Sequence, residues 1–227
     1  MLRQTLWPLT RKRAAIAAPL ATLAVACGGG RVDTVPGPAG VHTQTETTYY
    51  PVEGADARAW RISMVLSAGR AGVNAPFAAQ TTWRTQWSYA STRASAGGCE
   101  VVSPTVQLEV HYIMPQLAPD SAGSPEDRAE WHRYLAALWT HEKGHALRGV
   151  YAAGAVREEL RHIRVGSCAL VAVEARRVTD AAIAKYRALD KEYDERSRHG
   201  ARQGATLVVD RRRPVPIDTS FVDTGLN

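Results

Sequence analysis

The run His141-Glu142-Lys143-Gly144-His145 constrains this chain more than any other stretch. Histidines four residues apart project from one face only where the backbone is helical, and only then do both imidazoles reach a single ion. Glu142, directly after the first imidazole, is then placed to lean over an open coordination position as a proton acceptor for an attacking water. The motif therefore predicts a helix buried on its histidine face, with His141 and His145 as metal ligands and Glu142 as catalytic base. Imidazole donors favour one Zn2+ over magnesium. A third ligand has to come from elsewhere.

Helix geometry sorts the candidates for that third ligand. At about 1.5 Å rise per residue, a continuous helix carries Glu158 and Glu159 roughly 20 Å, and His162 roughly 25 Å, beyond His145. Those residues qualify only if the helix breaks at Gly149 or Gly154. His132 fails in the other direction, roughly 13 Å before His141. His199 closes a second helix, where an antiparallel partner brings it beside the motif, and it is the expected ligand. Asp194 on the same segment is the runner-up, also suited to orienting an imidazole.

The helix that carries the motif has a clear start. Ser124 can cap, Pro125 suits the first helical position, and Glu126 and Asp127 put negative charge in the first turn. Trp131, Tyr134, Leu135, Leu138 and Trp139 then recur at spacings of three and four, so one apolar face continues toward His141 and His145. Gly144, Gly149 and Gly154 cost helix propensity, but their spacing suits the close approach of another backbone. A second helix is predicted from about Leu170 to Arg198, on a stripe of Val171, Val178, Ala182, Tyr186, Leu189 and Tyr193, with Gly200 as its stop. Tyr193 either faces the metal as an oxyanion donor or packs in the core.

Alternation predicts the strands. Trp83, Thr85, Trp87 and Tyr89 share one face of residues 81–89, and Val106, Leu108, Val110 and Tyr112 one face of 105–113, with the Gly97-Gly98 turn region between. The tryptophans keep the strand period and read as core, and His111 falls on the polar face. Residues 47–52 read as a β-prone opening of the folded part, and 56–67 as a helix. The expectation is an α+β domain over 47–205, a small antiparallel sheet packed against the long motif helix and a second C-terminal helix.

The flanks read as address and tether. A basic start ending at Arg13 and the apolar run Ala14 to Ala26 give residues 1–26 the layout of a signal peptide, too short to span a membrane as a helix. Leu23-Ala24-Val25-Ala26-Cys27-Gly28 resembles a lipobox in which Cys27 is acylated; the rival is a soluble secreted protein cut nearby. Gly28 after that cysteine resembles lipoproteins sorted to the outer membrane, facing the periplasm. Residues 27–46 then read as a flexible tether and 206–227 as a disordered basic tail. With Cys27 consumed by lipid, Cys99 and Cys168 remain as a possible bridge in an oxidising compartment, or as two buried thiols. The formal charge of +6 includes Arg3, Arg11, Lys12 and Arg13, which leave +2 for the rest, so the balance gives no reason to expect a nucleic-acid partner.

The layout from Tyr49-Tyr50-Pro51-Val52 and Gly54, through Thr82-Trp83, Trp87, Cys99, Met114-Pro115, Trp131 and the His141 to His145 motif, to Tyr193-Asp194 and His199-Gly200 resembles a bacterial family. It is the predicted secreted zinc-dependent proteases, domain of unknown function nine-twenty-two, and the resemblance covers about residues 47 to 205. Ser197 stands where threonine is expected, and Ala146-Leu147 where an aromatic and an acid are. The resemblance implies zincin-like chemistry and places a His-Gly element at His199. The expected function is a zinc-dependent peptidase of the cell envelope, acting on a peptide or protein and held to a membrane through Cys27. Its rivals are a peptidoglycan crosslink hydrolase and a non-enzymatic envelope lipoprotein with a structural ion or none.

Overall fold

A computed structural model describes residues 31–36, 40–74 and 76–210. The predicted signal segment, Cys27 and the Arg211 to Arg213 triplet lie outside the described residues. The elements are β1 (Arg31–Pro36), β2 (Val41–Val52), α1 (Ala57–Ala68), β3 (Gln80–Arg93), β4 (Cys99–Leu117), α2 (Pro125–Arg161), β5 (Arg164–Val165) and α3 (Val171–Ser197). Among the described residues the domain is α+β, with a five-stranded sheet and three α-helices.

The sheet differs from expectation in two ways. It is mixed rather than antiparallel: β3 and β4 form the expected hairpin, but β2 lies on the other side of β4 and runs parallel to it, giving the order β1-β2-β4-β3 with β5 paired to the start of β4. Alternation records which face is buried and is the same for parallel and antiparallel neighbours, so it could not reveal this direction. The second difference is the tether. Residues 31–36 and 41–46 are strand; along 41–44 Val41 and Thr43 are buried while His42 and Gln44 are exposed, and the alternation slips by one residue near Thr47-Thr48, so that Tyr50 and Val52 are the buried positions of the predicted opening at 47–52.

The helices follow the sequence closely. Asp56 caps α1, its carboxylate accepting from the Ala59 amide. At the start of α2, the Ser124 hydroxyl accepts from the Asp127 amide at 3.1 Å and the Asp127 carboxylate accepts from the Ser124 amide at 3.1 Å, a complete capping box. The helix then runs 37 residues without breaking at Gly149 or Gly154. Trp131, Tyr134, Leu138, Val156 and Leu160 bury its inner face beside Val106, Leu108, Val110 and Met114 of β4. Side chains, not a second backbone, fill two of its glycine positions: Tyr193 lies against Gly144 and Trp83 against Gly149, while Gly154 has open space.

A disulfide between Cys99 and Cys168, with Cα atoms 5.0 Å apart, ties the start of β4 to the 3-10 turn that leads into α3. Contacts along α2 and α3 run in opposite order, His141 with Asp194 and His145 with Asp190, so the two helices are antiparallel. Arg198 (φ 50°), His199 (φ 49°) and Gly200 (φ 80°) are all left-handed and turn the chain out of α3. The boundary at 205 moves outward. Leu207 is buried, Arg133 donates to the carbonyls of Gly204 and Thr206 at 2.8 and 2.6 Å, and Glu130 accepts from the Val208 amide, so residues 206–209 are packed rather than tail.

Candidate metal centre

The middle of α2 and the last turns of α3 face each other at the base of a pocket of about 510 Å³. His141 Nε2 and His145 Nε2 lie 3.3 Å apart, and Asp194 Oδ1 is 3.2 Å from the first and 3.1 Å from the second. These three atoms make a nearly equilateral triangle. A tetrahedral ion with bonds of about 2.0–2.2 Å keeps its ligand atoms roughly 3.3–3.6 Å apart, so the triangle matches one face of such a polyhedron almost without adjustment. The donor chemistry, two imidazoles and one carboxylate, also suits zinc. Among the described residues this is the one group of three such side chains whose donor atoms all lie within 4.8 Å.

The far side of each imidazole is held as well. His145 Nδ1 is 2.7 Å from Asp190 Oδ1 and His141 Nδ1 is 2.9 Å from Gln203 Oε1. With both Nδ1 atoms occupied as donors, both Nε2 atoms turn toward the shared point, where each would give its lone pair to an ion that displaces any proton held there. Asp190 and Asp194 sit four apart on α3, so one helical face supplies both the third donor and the carboxylate behind His145.

Glu142 lies beside the triangle and is 3% exposed. Burial pushes its carboxyl above the ordinary range, against the Thr81 hydroxyl, which donates to Oε2 at 2.6 Å, and the two imidazoles. Thr81 is the second residue of β3, so the end of the sheet fixes the acid on the helix. Burial pulls His145 down, but hydrogen bonds and charge from Asp190 and Asp194 outweigh it and hold the imidazole up at about 10. Burial pushes Asp194 up, yet the two imidazoles reverse this and leave its carboxyl below the usual range.

The predicted residues thus separate. His141, Glu142 and His145 come together with Asp194, the runner-up. His199 is not in the donor group: its ring packs on Phe77 with centroids 4.3 Å apart and its Nδ1 is 3.4 Å from Asp194 Oδ1, so it walls the pocket and touches the carboxylate that takes its expected place. His162 is exposed beside Glu158 at the far end of α2. Tyr193 is fully buried and donates to the His141 carbonyl at 3.1 Å, which makes it a core residue behind the centre rather than an oxyanion donor. Sequence reasoning missed Thr81, Asp190 and Gln203. Asp190 had a signal in its spacing from Asp194; Thr81 and Gln203 had none, since each reaches the site only through the tertiary fold.

A family model described as bacterial protein of unknown function (DUF922) matches residues 47–200. No curated protein and no solved structure matches the chain.

Proposed function

We propose that this chain, which belongs to the bacterial family of unknown function DUF922, is a zinc-dependent peptidase of the cell envelope. The observation that carries the reading is the donor triangle of His141, His145 and Asp194 with Glu142 beside it and a pocket above. Three protein donors leave a position for substrate, whereas a structural zinc site normally fills all four from protein. When bound, zinc supplies a Lewis acid that polarises the scissile carbonyl and makes water more acidic.

The chain's own residues do the rest. Asp190 and Gln203 hold the imidazoles in the tautomer that offers Nε2. Thr81 fixes one oxygen of Glu142, and burial makes that carboxylate a stronger base than a solvated one. Glu142 takes a proton from the attacking water; the carbon–nitrogen bond breaks after water oxygen has added to the carbonyl, and the same carboxyl returns the proton to the departing amine. The disulfide supports an oxidising compartment, in keeping with the signal-like start and Cys27.

The test is hydrolysis by zinc-loaded protein of a denatured protein and, separately, of purified peptidoglycan, alongside Glu142→Gln. Cleavage of the protein, with Glu142→Gln retaining zinc at wild-type stoichiometry while losing several orders of magnitude in rate, is the expected result. Cleavage of peptidoglycan alone moves the same chemistry to a different substrate. Bound zinc without hydrolysis of either makes the centre structural, and loss of zinc from Glu142→Gln removes the base assignment.

A further inference from the structure

Behind the centre, outside the lining of its pocket, two buried aromatic residues stand in matching positions. Trp83 packs over Gly149, where a β-carbon would come within 2.9 Å of its ring, and Arg187 lies over the ring at 3.6 Å. Tyr193 packs over Gly144, where a β-carbon would strike the phenol, and Arg148 lies over its ring at 3.8 Å. Each aromatic carries one polar group, and each polar group meets the partner of a ligand imidazole. The Trp83 indole donates to Asp190 Oδ2 at 3.1 Å, on the carboxylate whose other oxygen meets His145 Nδ1. Gln203 Nε2 donates to the Tyr193 hydroxyl at 3.0 Å, on the amide whose oxygen meets His141 Nδ1.

We infer that Trp83 and Tyr193 are positioning residues that set the tautomer of the two ligand imidazoles from one step behind; the inference rests on the metal reading above. The argument is one of polarity. The Tyr193 hydroxyl has a single proton, and of its two acceptors in reach the His141 carbonyl at 3.1 Å is nearer than Gln203 Oε1 at 3.3 Å, so the proton goes to the carbonyl. The hydroxyl therefore accepts from Gln203, which turns the amide nitrogen toward Tyr193 and the amide oxygen toward His141. His141 Nδ1 must then carry its proton, and Nε2 keeps a lone pair for the ion. Without the hydroxyl, nothing in this network fixes the amide, and the reversed amide would present N–H to Nδ1. The indole N–H is a donor only, so it holds Asp190 as an acceptor at Oδ2 and stops the carboxyl turning about its soft terminal torsion. The glycines of α2 make room for both rings, and this is why a metal helix tolerates them.

Trp83→Phe and Tyr193→Phe each delete the polar group and keep a ring in the gap. Zinc affinity is measured by chelator competition, the Co2+-substituted proteins are compared by visible absorption, and metal-free stability by urea unfolding, with Trp87→Phe on the same strand as control. Each site variant is expected to bind zinc about 10-fold more weakly and to alter the Co2+ spectrum, with the control unchanged. Wild-type affinity and spectrum in both variants, whatever their stability, would make the two rings core residues only and overturn the inference. If Trp83→Phe does not fold, Tyr193→Phe decides, because its ring fills the same space. A wild-type protein that binds no zinc removes the metal reading itself, and the inference with it, a result distinct from variants that match a zinc-binding wild type.

Discussion

Asp194 rather than His199 completes the donor triangle because side-chain direction on a helix follows the 3.6-residue period. Asp190, Tyr193, Asp194 and Ser197 share the face of α3 that meets α2, whereas His199 lies past the last helical residue, where left-handed backbone carries it to Phe77. The motif histidines and Glu142 could be read from sequence because their geometry is local. The choice between Asp194 and His199 turned on where α3 ends, a boundary that the sequence defines only to within a residue or two. Asp194→Ala should therefore weaken zinc binding far more than His199→Ala, and His162→Ala should have no effect; a chelator titration giving His199→Ala the larger loss would reverse the ranking. The His145 imidazole makes a second prediction, for metal-free protein. Its folded value of about 10 lies above the unfolded 6.5, so the stability it contributes is fully present below about pH 6.5 and is lost as pH rises through about 10. Zinc must displace that same proton, so zinc affinity should instead strengthen over this range. Urea unfolding with chelator at several pH values, beside zinc titrations at the same pH values, checks both signs.

The helix starts were readable from sequence because caps are local chemistry: Ser124, Pro125 and Asp127 declare the start of α2, and Asp56 that of α1, without reference to anything distant. Strand β3 and the β4 face declared themselves by alternation. The first half of β2 did not, because its Thr, Gln and Glu positions follow a Gly- and Pro-rich stretch and its partner, β4, lies some sixty residues away. Composition suggested a tether where the sheet supplies a partner. The glycines of α2 separate the same two kinds of information. All three look alike in sequence, yet Gly144 and Gly149 meet aromatic rings and Gly154 meets nothing within 4 Å. Gly154→Ala should stabilise the protein by about 0.5–1 kcal/mol, the helix-propensity difference alone. Gly144→Ala should destabilise it by about 1–3 kcal/mol through overpacking against Tyr193 and weaken zinc binding with it. Denaturant unfolding of the two variants separates them, and equal destabilisation would mean that propensity and packing have been misassigned.

The bridge between Cys99 and Cys168 joins the sheet to the N-terminal end of α3, while the residues that this helix gives to the candidate metal centre, Asp194 in the donor triangle and Asp190 behind His145, lie near its other end. Stability and site geometry are therefore carried by different ends of one element. Closing a loop with a sequence separation of 69 removes chain entropy from the unfolded state worth about 4 kcal/mol in the loop-entropy account, an upper figure since engineered and native bridges usually deliver about 2–4. At the other end, Gln203 and the packed segment through Leu207 and Val208 fix the helix exit against α2 without help from the bridge. Export belongs to the same question, because a bridge suits an oxidising compartment and the proposed acylation of Cys27 would provide a route there. Cys27→Ser should shift the protein out of membrane fractions or block its maturation, and thiol labelling of envelope-purified protein without reductant should find neither Cys99 nor Cys168 free. In purified protein, the Cys99→Ser and Cys168→Ser double variant should lose about 2–4 kcal/mol of unfolding free energy, while the fraction that remains folded binds zinc within a few-fold of wild type. An affinity that falls in step with stability would show that α3 moves as a rigid lever from its bridged end, and that the metal centre depends on the disulfide after all.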